Sequence, residues 1–166
     1  MNRFQKIVPS LWFDRNAEEA VSFYTSIFKD SSIVKTSYYT KEGYEIHKMP
    51  EGFPMVIEFL LEGQSFLALN GGPIFRFNEA VSLVINCGPQ EEVDYFWDKL
   101  SSGGDESAQQ CGWLKDRFGL SWQVVPAILD ELLSDPDPVK AGRVMTSMLS
   151  MKKIDIAELE RAYSDD

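Results

Sequence analysis

A chain of 166 residues with 44% apolar content can build one domain, or two small halves, around a sizeable core. Its formal charge of −10, from 26 acidic and 16 basic residues, argues against nonspecific binding to nucleic acid or to an anionic membrane surface. No apolar run approaches the ~18 residues of a membrane span, and the opening MNRFQKIVPSLWF lacks the apolar core of a secretory signal. Two cysteines, Cys87 and Cys111, do not make a disulfide framework, so a reducing cytoplasm is the expected compartment. The single histidine, His47, excludes any site that needs two or three histidines from one chain.

The first expected element is an apolar strand, IVPSLWF at 7–13. An amphipathic helix follows, because Ala17, Ala20, Val21, Tyr24, Ile27 and Phe28 recur at three- and four-residue spacing. Asn16 is placed to cap its start, and Glu18 and Glu19 suit the positive end of its dipole. Strands are expected at 32–40, 55–61 and 65–69, the last two joined by the hairpin signal Glu62-Gly63-Gln64. The turn-rich stretch 41–54 reads as a loop or crossover.

The order then recurs. AVSLVIN at 80–86 is a strand, and a helix follows with Val93, Phe96, Trp97 and Leu100 as its buried stripe and Gly103-Gly104 at its end. Strands are expected near 106–110, at 112–115 and at 120–125, and the charge run Lys115-Asp116-Arg117 reads as a solvated turn. EEAVSFY at 18–24 matches EEVDYFW at 91–97 with an offset of 73 (91 − 18). The tail is helical: 126–133, then 139–151 after the breaker Asp135-Pro136-Asp137-Pro138, with Val144, Met145, Met148 and Leu149 on one side. Asp155 caps a last helix over 156–163.

Each half therefore reads β-α-β-β-β, an α+β chain of two modules at about 5–73 and 79–126 within 1–126, followed by a helical extension at 127–166. One helix covers one face of each small sheet, and two such halves edge to edge would make a curved mixed sheet around a shared cup.

The stretches VPSLWFDRNAEEAVSFYTSIF, CGWLKDRFGLSWQVVP and SMLSMKKIDIAELERAY together resemble the PhnB-like proteins, and the resemblance covers nearly the whole chain. These are a branch of the glyoxalase/bleomycin-resistance/dioxygenase, or vicinal oxygen chelate, superfamily. The branch carries the label 3-demethylubiquinone-9 3-methyltransferase. The resemblance implies paired βαβββ modules forming a cup, homodimers and, in some relatives, modules exchanged between chains. No strand here runs through a Gly-rich turn into a helix, so nothing in the sequence supports the cofactor of a methyltransferase.

In metal-dependent relatives, ligands come from the first and last strands of the two modules. Aligning the first strands on Phe23 and Phe96, and the last on the turn glycines Gly63 and Gly119, places Pro9, Leu67, Ser82 and Gln123 at those positions. Two of these have no side-chain donor, serine is a poor ligand and glutamine offers one neutral oxygen. The expectation is therefore no metal and no cofactor. Period two then adds Leu11 and Phe13, Leu69, Val84 and Asn86 to the inward set, and Trp113 flanks it in the later hairpin. This largely apolar hollow suits a small organic ligand. Three functional classes stay open at this point. They are a metal-free ligand-binding protein, an enzyme using the same cup without a metal, and an interaction protein using its C-terminal helices. The same side chains read equally well as the plain core of a closed cup.

Overall fold

The computed structural model describes residues 5–164. The chain divides between Arg76 and Phe77 into two compact units, and the C-terminal helices belong to the second.

The first unit holds β1 (Ser10–Phe13), α1 (Ala17–Ile27), β2 (Ser32–Tyr38), the short α2 (Tyr44–His47), β3 (Pro54–Leu61) and β4 (Gln64–Asn70). Its four-stranded sheet has the order β1-β4-β3-β2, with β1 parallel to β4 and the other pairs antiparallel. Alternation in the strands sorts the side chains. Leu11, Phe13, Ile57, Phe59, Phe66 and Ala68 are buried, as is the α1 stripe Ala17, Ala20, Val21, Tyr24 and Ile27, and α1 packs on β3 and β4. The helix start differs from expectation. Asn16 makes no side-chain cap; instead Asn70, fully buried at the end of β4, accepts the Ala17 N–H at 2.9 Å and donates to the Pro54 carbonyl at 3.0 Å. The stretch expected as a loop carries α2, bounded by Gly43 and Lys48 at positive φ.

The second unit holds β5 (Ser82–Cys87), α3 (Gln90–Ser101), β6 (Trp113–Lys115), β7 (Ser121–Pro126), α4 (Ile128–Leu133), α5 (Pro138–Leu149) and α6 (Ile156–Ser164). Its sheet has the order β5-β7-β6, with β7 central, β5 parallel to it and β6 antiparallel. The strand expected near 106–110 is replaced by a single 3-10 turn, Glu106–Ala108, and one isolated bridge from Gln110 to Trp113. Asp105 explains this: its carboxylate takes both the backbone N–H and the hydroxyl of Ser107, which offers the backbone an alternative to a strand ladder.

The extension packs through Leu129, Val144, Ile154 and Leu159, with Val125, Met148 and Met151 against them. Val144 thus points inward as expected, whereas Met145 and Leu149 are exposed, because α5 rests on its Val144–Met148 side. No described helix is long and apolar enough to cross a membrane.

Candidate functional site

Helix α3 packs on all three strands of the second sheet, and Val93, Trp97 and Leu100 are its buried side chains. By pairing and alternation Leu114, Trp122, Val124 and Cys87 share the helix side and are buried. The opposite face presents two rows across the strands, Ser82–Ser121–Lys115 and Val84–Gln123–Trp113, with Asn86 beside Val125 beyond them. Five of the expected site residues, Ser82, Val84, Asn86, Trp113 and Gln123, are therefore brought to one face. Gln123 is half-buried and donates through Nε2 to Ser82 Oγ at 2.8 Å. Val84 is 53% exposed at its centre.

The first unit does not follow the expected grouping. Its register pairs Ser10 with Leu67 and Trp12 with Leu69, but Leu11 with Ala68 and Phe13 with Asn70. Leu67 and Leu69 thus face away from α1 with Ser10 and Trp12. Leu11 and Phe13 lie in the core under the helix, at 7% and 3% exposure. Pro9 precedes the strand and accepts the Leu67 N–H at 2.9 Å through its carbonyl. The cause is a difference in connection length. The last strand residues, Phe13 and Cys87, are offset by 74 (87 − 13), whereas the helices are offset by 73, so a frame fixed on the helices slips the strands by one residue. A one-residue slip exchanges the two faces.

Sequence reasoning missed Glu58 and Trp12 on the first unit's helix-free face. Glu58 pairs with Leu67, and the Trp12 indole donates to the Gly72 carbonyl at 2.8 Å. The alternation in Pro54–Leu61 carried the signal for Glu58. The Lys115-Asp116-Arg117 run is not a solvated turn: Asp116 is 2% exposed and fully engaged with backbone and with Trp122, while Arg117 donates to the Ser102 carbonyl.

Apart from the Lys115 ammonium, which is paired with Glu79, the polar groups on the second face are neutral hydroxyls and amides, and among the described residues no three His, Cys, Asp or Glu side chains gather as a metal would require. This set does not fit a resident transition metal. The thiols are unequal. Cys87 is buried on the helix side, where burial first and the nearby Glu92 second push it up to about 11. Cys111 is partly exposed, at positive φ in a turn with Gly112.

The family model that matches residues 5–125 is described as 3-demethylubiquinone-9 3-methyltransferase. A Bacillus cereus PhnB protein, described as a candidate 3-demethylubiquinone-9 3-methyltransferase, is 36% identical over 74% of this chain and 100% of its own, with a TM-score of 0.64. A Pseudomonas aeruginosa protein shares the fold at 20% identity, 74% and 97% coverage and a TM-score of 0.56. So does the Listeria monocytogenes fosfomycin resistance protein FosX, at 15% identity, 80% and 98% coverage and a TM-score of 0.52. No curated protein matches the chain. The family match ends one residue before the end of β7, so α4–α6 lie outside it. With its two-sheet α+β architecture and its C-terminal helices, the chain belongs to the PhnB-like family, labelled 3-demethylubiquinone-9 3-methyltransferase.

Proposed function

We propose that the chain binds a small organic molecule on the face of β5-β7-β6 opposite α3, without a resident metal, as a homodimer in a reducing cytoplasm. One observation carries this: the Gln123–Ser82 hydrogen bond is set among Val84, Trp113 and Asn86 on a face that α3 leaves uncovered. A few placed polar groups in an apolar surround are what a small-molecule site needs. Binding is favoured over catalysis because the recorded hydrogen-bond partner of Ser82 Oγ is the Gln123 amide, which is not a base. The extension is better explained as packing than as a partner surface, since Val144, Ile154 and Leu159 are fully buried within it. The outer strands β5 and β6 leave unpaired backbone edges, which supports self-association.

Thermal shifts against a chemically broad small-molecule library test the binding. The expected result is a set of stabilising compounds whose effect is lost in Val84→Asp and Gln123→Leu. A flat response from the wild-type protein would overturn the proposal. Light scattering tests the homodimer, for which a mass near 18.9 kDa is the contrary outcome.

A further inference from the structure

The outer row of the same face holds an unsatisfied group. Ser121 is 1% exposed, and its Oγ has no hydrogen-bond partner among the described residues. Buried hydroxyls are nearly always paired, so this one invites a ligand atom. Its row neighbours are Ser82 on one side and Lys115 on the other. Ser82 Oγ already accepts from Gln123, which leaves its own proton to donate. The Lys115 ammonium pairs with Glu79, a residue just ahead of β5 whose side chain is 64% exposed. Because β7 is the central strand, this ion pair links β6 to the turn ahead of β5, from the row that holds Ser121. The hydrogen bond from Lys115 lowers the Glu79 carboxyl from its ordinary value.

We propose that Ser82, Ser121 and Lys115 hold the carboxylate of a small monocarboxylic acid, and that Glu79 is a built-in competitor which the ligand displaces from Lys115. This rests on the proposal that the face binds a small molecule. One ammonium and two hydroxyl donors in a row match a planar, singly charged acceptor. A net charge of −10 disfavours a multiply charged anion. The next row, Val84–Gln123–Trp113, sets an apolar and aromatic surface beside the charge for the body of the acid. Glu79 occupies Lys115 when the ligand is absent, so the ammonium is never left bare.

Calorimetric titration of benzoate, phenylacetate and 4-phenylbutyrate, each against its neutral amide, tests this at fixed ionic strength. The acids are expected to bind at least about ten-fold more tightly than the amides. Lys115→Met should remove most of that preference, and Ser121→Ala should weaken acids and amides alike, several-fold for the acids. Glu79→Gln, at an exposed position, should tighten acid binding several-fold without moving the unfolding midpoint, an effect that a purely structural ion pair would not give. Equal binding of acids and amides, or a Glu79→Gln protein that binds acids no better, overturns the carboxylate assignment while leaving the face itself a binding site. Failure of all six probes on wild type and Glu79→Gln overturns it too. A flat response to the broad library removes the underlying site as well.

Discussion

The Trp122 indole N–H donates to Asp116 Oδ2 at 2.8 Å, while Oδ1 of the same carboxylate accepts the backbone N–H groups of Phe118 at 2.8 Å and Leu120 at 3.1 Å. One buried acid thus ties the β6–β7 turn to the helix side of β7, and so fixes the register that places Trp113 opposite Gln123. Asp116→Ala leaves three donors without this acceptor. The expected loss is ~3 kcal/mol in urea unfolding followed by tryptophan fluorescence. For a chain of this size that corresponds to a fall of roughly 6–12 °C in Tm. Asp116→Asn keeps one acceptor oxygen and should lose less.

How far this was legible in the sequence depends on the range of the interactions. The helices and most strands follow from spacing, because one face of each is packed: Ala17, Ala20, Val21, Tyr24 and Ile27 are buried, as are Val93, Trp97 and Leu100, whereas Phe96 of the expected stripe is only half-buried. The second unit's face was legible for the same reason, since Ser82, Val84 and Asn86 alternate against the buried Cys87. The first unit's face was not. Its connection Asp14-Arg15-Asn16 is one residue longer than Gly88-Pro89, which no local pattern reveals. Asp116 looked like part of a solvated turn because its burial is set by Trp122, six residues on, and by strand pairing. Asn16 looked like the cap of α1, while the group that serves sits at Asn70, 53 residues from the Ala17 N–H it accepts.

That distant cap gives a second prediction. Asn70 satisfies one orphan N–H at the start of α1 and one carbonyl of β3, both in the core. Asn70→Ala strands both groups and should cost ~2–3 kcal/mol in denaturant unfolding. Asn70→Asp keeps the acceptor for Ala17 but faces the Pro54 carbonyl with a buried carboxylate, so it should also destabilise. An Asn16→Ala control should change stability by less than about 0.5 kcal/mol, because that side chain makes no cap.

The cysteines give a third. Cys87 is 1% exposed with its thiol pushed up to about 11. In native protein at pH 8, Cys111 should therefore react with a disulfide reagent well before Cys87. The linkage has a definite sign. The folded state holds the Cys87 proton more tightly than the unfolded state, so its contribution is complete below about pH 9. It is lost as pH rises through about 11. The expected decline is about 2 kcal/mol over that window, and Cys87→Ala should abolish that part of the slope.

The extension gives the last. Gln90 at the start of α3 accepts the Ile156 N–H at 2.8 Å and donates to the Ile154 carbonyl at 3.1 Å. The Lys153 ammonium meets Asp94 at 2.7 Å. The Cys111 and Gly112 N–H groups donate to the Met151 and Lys152 carbonyls at 2.8 Å, directly before β6. Gly112 has φ +84, and an added Cβ would lie 2.9 Å from the Val124 carbonyl oxygen and 3.2 Å from Ile154 Cγ1. Gly112→Ala should therefore cost ~2 kcal/mol or more, through both backbone strain and this contact. Ile154 is fully buried, and Ile154→Ala should cost ~2–4 kcal/mol. Deletion of 139–166 removes Val144, Ile154 and Leu159 from the cluster around Leu129, so the shortened chain should aggregate or unfold at room temperature. A truncated protein that stays soluble, with a native circular dichroism spectrum and an unchanged unfolding midpoint, would show instead that α5 and α6 are not needed for folding. The exposed Met145 and Leu149 would then be the place to look for a partner.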